Sequence, residues 1–155
     1  MVVTGLGLVS PLGCGVETAW SRLCEGFSSA VALEEEKFLK VGSRVACLVP
    51  RAELDLQAEF SPGDQQRLSL AMMFGLLAAR EAVKDASWVP SSQEQQLRAG
   101  VSVGMGMVDL EYIGESYLAL QQGKGRRLSP YFVPRILPNL AAGHISIGNL
   151  DISSS

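Results

Sequence analysis

Apolar residues of this chain form short continuous runs, separated by longer stretches in which they recur at helical spacing. The continuous runs, closed by Gly or Pro, predict strands at Met1–Val9, Ser43–Val49 and Gly100–Gly104. The helical spacing predicts four helices: Val16–Glu25, Asp64–Ala86, Asp109–Gln121 and Leu137–Ile147. Strands that alternate with helices in this way indicate an α/β fold with a parallel sheet.

The helix predicted at Asp64–Ala86 is apolar on two sides. One stripe consists of Leu68, Ala71, Gly75, Ala78 and Ala82, and the other of Leu70, Phe74 and Leu77. A helix of this kind is buried, and its small residues let neighbouring backbones approach closely. The Pro- and Ser-containing stretches Trp88–Leu97 and Gly123–Pro134 are predicted to be a connector and a loop.

The composition argues against nucleic-acid binding and against a membrane span. The chain carries 13 basic and 16 acidic residues, which is not the basic footprint of a nucleic-acid-binding protein. Its longest apolar run, Leu68–Ala79, contains Ser69 and is too short to span a membrane. Cys14, Cys24 and Cys47 form no CxxC pair, which favours a reduced intracellular compartment.

Glycine pairs end the first and third predicted strands and invite a comparison with dinucleotide-binding loops. In such loops the backbone approaches a pyrophosphate at the N-terminus of a helix. The Gly5–Gly7 pair is followed by Ser10 where a third glycine is needed. The Gly104–Gly106 pair is followed by Asp109, whose charge opposes a phosphate. Structural strand exits are therefore favoured, and a Rossmann-type domain is kept as the weakest alternative.

Few residues have the character of a nucleophile, a base or a metal ligand. His144 is the single histidine, and it lies in a packed apolar stretch without an evident catalytic partner. Cys14 lies in a turn before a helix, where a thiolate could be favoured. Cys24 and Cys47 fit apolar patterns and are interpreted as small core residues. We expect none of these to be catalytic, and we expect no metal site.

The predicted loop at Gly123–Pro134 combines basic and aromatic residues. Its Gly123–Arg127 part is basic, so it is either a solvated loop or a contact for an acidic partner such as a carrier protein. Tyr131 and Phe132 follow, between two prolines. Packing in the core and packing at an interface or pocket wall are equally consistent with this pattern.

Four sequence blocks resemble the β-ketoacyl-[acyl carrier protein] synthases, and they occur in the order of that family. The blocks are VVTGLGLVSPLG, AAREAVKDASW, GVSVGMGMVDLE and LSPYFVPRILPNLAAGHISI. Together they cover about residues 1–147. The Gly-Met-Gly-Met run and the Ser87-Trp88 pair are most similar to the mitochondrial members of the family.

The resemblance implies a thiolase-like fold with α/β/α/β/α layers, of which residues 1–147 are an incomplete first half and residues 148–155 a divergent tail. Members of the family are homodimers. They condense malonyl- with acyl-loaded acyl carrier protein, release carbon dioxide and need no cofactor. A mitochondrial location follows from the resemblance, with the cytoplasm as the alternative, although no presequence precedes Met1.

The resemblance also assigns roles to single positions. Met107 is expected to line the acyl-chain pocket, and Phe132 to approach the partner subunit's pocket at the dimer interface. The family's nucleophilic cysteine and two histidines have no counterpart here, so we expect no catalytic residue and no activity of this chain alone. Arg67 is the basic residue close to the long helix where relatives carry several. A non-catalytic short isoform that acts as a dimerisation partner is the alternative.

Overall fold

A computed structural model describes residues 1–149, apart from the side chains of Arg127 and Asn149. The helices are α1 Val16–Cys24, α2 Leu56–Glu59, α3 Pro62–Arg67, α4 Leu70–Ala86, α5 Gln93–Arg98, α6 Leu110–Gln121, α7 Phe132–Ile136 and α8 Leu140–Asn149. The strands are β1 Val9–Ser10, β2 Gly13–Cys14, β3 Ala30–Ala32 and β4 Val45–Cys47. Most of the expected divergent tail, from position 150 onward, lies outside the described residues.

The strands form two small antiparallel pairs. Val9 of β1 faces Cys14 of β2, and Val31 of β3 faces Ala46 of β4. The predicted parallel sheet is therefore wrong for residues 1–149, although β4 lies inside the predicted strand Ser43–Val49. A continuous apolar run predicts burial on both faces, whereas Val2, Val3 and Val45 in these runs are exposed.

The N-terminal segment, predicted as a strand, lies along helix α4 instead of beside another strand. The Leu6 N–H donates to Asp85 Oδ2 at 2.9 Å. The Leu8 N–H donates to Glu81 Oε2 at 2.8 Å, and the other oxygen of Glu81 accepts the Val16 N–H at 2.8 Å. These two carboxylates thus satisfy backbone donors that a neighbouring strand would otherwise satisfy.

Glycine permits this close approach to α4. A Cβ at Gly5 would overlap the carbonyl oxygen of Ala82, and a Cβ at Gly7 would overlap that of Ala78. Ala78 and Ala82 belong to the first predicted apolar stripe, so the prediction that small residues admit a neighbouring backbone is confirmed. The Gly5–Gly7 backbone is packed against a helix and leaves no cradle for a pyrophosphate.

The helix predicted at Asp64–Ala86 is divided in two. Leu68 and Ser69 adopt extended backbone angles between α3 and α4. The Ser69 hydroxyl accepts the Met72 N–H at 3.3 Å and caps α4. A serine with this bonding begins a new helix, because its side chain replaces a backbone acceptor that a continuous helix would supply. At the other end of α3, Ser61 is the cap, because its side chain accepts the Asp64 N–H.

The core forms where α4 packs against α8. Its buried residues are Phe60, Leu68, Met72, Met73, Leu76 and Ala141. The most buried residues of α4, Met72, Met73 and Leu76, belong to neither predicted stripe. Leu68 of the first stripe is nevertheless buried, and Leu70 and Leu77 of the second stripe pack against the core, whereas Ala71 is exposed. Among the described residues, no helix has the length and apolar character to cross a membrane.

Two segments predicted to lack regular structure contain helices. A reciprocal capping box between Ser92 and Gln95 begins α5 inside the predicted connector. Helix α7 starts at Phe132 in the predicted loop, and Pro134 lies in its first turn. Proline is tolerated there because backbone N–H groups in the first turn have no partner within the helix.

Candidate functional site

Helices α6 and α7 are joined by a mostly buried ion pair. Asp109 caps α6, because its Oδ1 accepts the Tyr112 N–H at 3.1 Å. Its second oxygen, Oδ2, accepts the Nε–H of Arg135 on α7 at 3.0 Å. The two side chains are 17% and 23% exposed. The ion pair therefore fixes the beginning of one helix to the end of the other.

Aromatic rings continue this contact from α6 into α7. The Arg135 guanidinium lies 4.3 Å from the centre of the Tyr112 ring. The Tyr112 ring lies 5.8 Å from that of Phe132, at an interplanar angle of 32°. These distances suit cation–π and tilted aromatic contacts. The ion pair and the two rings together are called the α6–α7 clasp.

A cavity of about 250 Å³ lies between α6 and α7 and is named the α6–α7 cavity. It is lined by Ile113, Ser116, Tyr117, Leu120, Leu128 and Phe132. The walls are almost entirely apolar, so the cavity suits a hydrocarbon group better than a polar ligand. Phe132, a site residue expected from the sequence, is thus part of a pocket wall.

Met107, the other expected site residue, lines a different cavity. This groove of about 360 Å³ lies between α4 and the start of α6, and Phe74 and Leu70 form its α4 side. The Met107 side chain is 68% exposed. The structure therefore does not bring Met107 and Phe132 together in one cavity, although both lie beside α6.

Basic residues lie beside α7 and in the loop that precedes it. Arg67 bonds Asp64 at 2.7 Å, and its guanidinium lies 5.9 Å from the ring centre of Tyr131, where α3 packs against α7. The hydrogen bond from Ser61, and then Arg67, lower the pKa of Asp64. Lys124 and Arg126 of the basic loop are exposed. The surface beside α7 thus presents cations to solvent.

His144 lies on α8 in a cavity of about 310 Å³ lined by Arg67 and Arg80 among others. Among the described residues, its buried Nε2 has no hydrogen-bond partner. Burial, and then the nearby Arg67, lower the pKa of His144 below its usual value. The ring is therefore neutral at pH 7. No described residue bonds to Nε2 and orients it for proton transfer.

The cysteines differ from the pattern-based interpretation. Cys14 is half-buried in β2, and burial, followed by Glu53, raises the pKa of its thiol. That shift disfavours the thiolate and does not activate a nucleophile. Cys24 and Cys47 are exposed, so their interpretation as core residues is wrong. Within residues 1–149, no group of three or more potential metal ligands is present.

Sequence reasoning missed two residues that organise this region. The sequence predicts Asp109 as the first residue of a helix and as a charge that opposes a phosphate, but not as a cap or an ion-pair partner, and it assigns no role to Arg135. An Asp immediately before an apolar helical pattern is a signal for a helix cap. No signal pointed to the pair, because the two residues are 26 positions apart.

Comparison with known proteins identifies the family. Residues 1–152 match the β-ketoacyl synthase N-terminal domain. The chain is 36% identical over 152 residues to 3-oxoacyl-[acyl-carrier-protein] synthase 2 of Rhizobium meliloti, covering 95% of this chain and 36% of the relative. It is 37% identical over 164 residues to the mitochondrial 3-oxoacyl-[acyl-carrier-protein] synthase of Arabidopsis thaliana, and this match covers 95% of this chain and 35% of that relative.

A solved structure supports the fold. A β-ketoacyl synthase from Burkholderia phymatum superposes with a TM-score of 0.77 at 20% identity, over 94% of this chain and 36% of that structure. The chain thus has part of the thiolase-like fold, and it spans about a third of the length of these relatives. The expected fold class is confirmed, and the chain belongs to the β-ketoacyl synthase family, whose N-terminal domain it matches.

Proposed function

We propose that this chain contributes the acyl-binding part of a 3-oxoacyl-[acyl carrier protein] synthase of fatty acid biosynthesis. In that reaction, malonyl-loaded carrier protein loses carbon dioxide, and the resulting carbanion attacks the carbonyl carbon of an acyl thioester. The C–S bond of that thioester breaks and releases its thiolate, which leaves a 3-oxoacyl group on the carrier protein. Family membership supports the reaction class, and the α6–α7 cavity is the observation that supports acyl binding.

The apolar walls of this cavity explain how a chain would be held. Each methylene that leaves water for an apolar surface contributes about 0.8 kcal/mol. Phe132 would contact such a chain in the α6–α7 cavity, and Met107 would contact it or its thioester end in the groove by α4. Affinity should therefore rise with chain length until the cavity is full.

We also propose that the chain does not catalyse condensation alone. Acyl transfer needs an activated nucleophile, whereas burial protects the Cys14 thiol from ionisation. Burial favours the neutral form of His144, which suits a base, yet no described residue forms a hydrogen bond with its Nε2. The domain would then bind the acyl group while residues of the remaining two thirds of the fold supply the chemistry.

The acyl carrier protein is the proposed partner, and cations beside α7 support this. Arg67, Lys124 and Arg126 could pair with an acidic carrier surface, and such pairs chiefly raise the association rate. The expected test is a fluorescence anisotropy titration with hexadecanoyl-loaded and unloaded carrier protein. The loaded form should bind more tightly, and replacing Lys124 and Arg126 by Glu should weaken both interactions.

Equal affinity for loaded and unloaded carrier would contradict acyl binding. An unchanged affinity after both charge reversals would contradict the docking surface. The exposed Glu115→Lys variant on α6 serves as a charge control outside this surface.

A second candidate function is that of a non-catalytic dimerisation partner. It is favoured by the exposed apolar residues of α6, which include Leu110, Tyr117, Leu118 and Leu120. A surface of this kind is typical of a subunit interface. Co-purification with an active synthase would support this function. A mitochondrial location is proposed from the plant relative, with a bacterial-type cytoplasmic location as the alternative.

A further inference from the structure

We propose that the Asp109–Arg135 ion pair is a positioning device that holds Phe132 in the wall of the α6–α7 cavity. It would thereby determine how strongly the cavity discriminates between long and short acyl chains. This inference rests on the proposed acyl-binding function. The pair acts on an acyl group in the α6–α7 cavity through Phe132, and Asp109 also lines the Met107 groove.

The carboxylate of Asp109 has a fixed orientation. One carboxylate oxygen accepts the Tyr112 N–H and the other accepts Arg135 Nε–H, at 3.1 and 3.0 Å. A carboxylate held at both oxygens by two different elements has little rotational freedom. Arg135 is therefore anchored to the first turn of α6.

Arg135 is connected to the wall of the α6–α7 cavity through Tyr112 and Phe132. Arg135 and Phe132 are three residues apart on α7, so their side chains lie on the same face of the helix. Tyr112 contacts both of them, with its ring 4.3 Å from the guanidinium and 5.8 Å from the Phe132 ring. If Arg135 is released, Tyr112 loses one of the two contacts that hold its ring beside Phe132.

Helix α7 packs against α3 and meets α6 at few points. The helix has five residues, which is too short to be stable without tertiary contacts. Val133 is 55% exposed, so it contributes little burial. The ion pair is largely shielded from solvent, so salt screens it only weakly. Among the described residues, it is the side-chain hydrogen bond that joins α7 to the start of α6.

The test is fluorescence titration of the complete chain with cis-parinaric acid, followed by displacement with hexadecanoic and octanoic acids. Arg135→Met removes the charge at similar length. Asp109→Asn removes the charge but keeps a residue that caps helices well. We expect each variant to weaken binding of the long chain about tenfold, with a smaller effect on octanoic acid.

A double variant tests whether Asp109 and Arg135 act on acyl binding through the same interaction. The double variant should be no weaker than either single variant, because both remove the same interaction. Arg135→Lys keeps the cation and should retain most of the discrimination. Arg80→Met is the matched control, since it removes a more exposed ion pair with Glu59, 42% and 51% exposed. Far-UV circular dichroism checks that each variant is folded.

The outcomes separate this inference from the proposed function. If the unsubstituted chain binds no fatty acid, the acyl site and the positioning role are both overturned. If it binds, but Arg135→Met and Asp109→Asn keep its preference for the long chain, only the positioning role is overturned. A merely structural role would reduce the number of binding sites for both chain lengths equally and leave the preference unchanged, which would also overturn it.

Discussion

Cys14 illustrates how a residue's surroundings determine its reactivity. Its place in a turn before a helix is typical of activated thiols. Burial and the carboxylates of Glu53 and Glu81 instead raise the pKa of the thiol above 9.0, and the cation of Arg22 only partly opposes them. A sequence pattern shows the turn but not these distant carboxylates, so this environment could not be predicted.

We expect iodoacetamide to alkylate Cys24 and Cys47 before Cys14 at pH 8. The first two side chains are exposed, whereas Cys14 is half-buried with a disfavoured thiolate. Peptide mass spectrometry over a time course measures the order. In urea all three should react at similar rates. Fastest modification of Cys14 in the folded chain would contradict the assigned environment.

His144 should make folding stability depend on pH. Its folded pKa lies below 6.5, chiefly because burial disfavours the charged ring. A depressed folded pKa contributes stability that is present above the unfolded pKa and is lost as pH falls through the folded pKa. Urea unfolding at pH 7.5 and pH 5 should show this loss, and His144→Gln should reduce it. An equal pH dependence of the unfolding free energy in the unsubstituted chain and in His144→Gln would refute the lowered pKa of His144.

At the scale of elements, the packing of the N-terminal segment on α4 can be tested with two glycines. Gly7→Ala places a methyl group against the α4 backbone and should destabilise the fold by about 1–3 kcal/mol. Gly75→Ala is the control inside α4, where a Cβ meets no atom within 4 Å. It should stabilise the helix by about 0.5–1 kcal/mol.

Hydrogen exchange of the Leu6 and Leu8 amides reports whether the segment stays on the helix. Gly7→Ala should accelerate exchange at both positions, because their bonds to Asp85 and Glu81 would be broken. Unchanged protection would mean that the segment does not depend on this contact.

The elements also show what a sequence pattern can and cannot predict. Helix α6 begins one residue from the predicted start and ends at the predicted Gln121, because its spacing and cap are local properties. The break at Leu68–Ser69 was missed because Ser69 is compatible with either a helix interior or a cap. The strand at Gly100–Gly104 was wrong because pairing depends on a neighbouring strand, which is not a local property.

Some features of the candidate site could be predicted from the sequence and others could not. Met107 and Phe132 could be named from the resemblance, because both lie in sequence blocks that resemble the family. The cavity and the Asp109–Arg135 pair could not, since they depend on how α6 and α7 meet after the loop between them. The substrate-binding roles of Met107 and Phe132 remain predictions.

At the scale of the whole molecule, the chain exposes much of its apolar content. The chain is 47% hydrophobic, yet Trp20, Leu23, Leu97 and Met107 are among many exposed apolar side chains. Surfaces like these associate in water. We therefore expect concentration-dependent self-association in sedimentation velocity experiments, together with binding of a hydrophobic dye. A dye-negative monomer at all concentrations would contradict this expectation.

Mass spectrometry of the chain after incubation with hexadecanoyl- and malonyl-loaded carrier protein tests most directly whether the chain binds an acyl group without catalysing condensation. Under native conditions we expect a complex with the acyl-loaded carrier. Under denaturing conditions we expect the unmodified 16.6 kDa chain and no 3-oxoacyl product. Absence of a complex would contradict the acyl-binding role. An acyl adduct on a cysteine of the chain, or a 3-oxoacyl product, would contradict the proposal that it binds the acyl group without catalysing condensation.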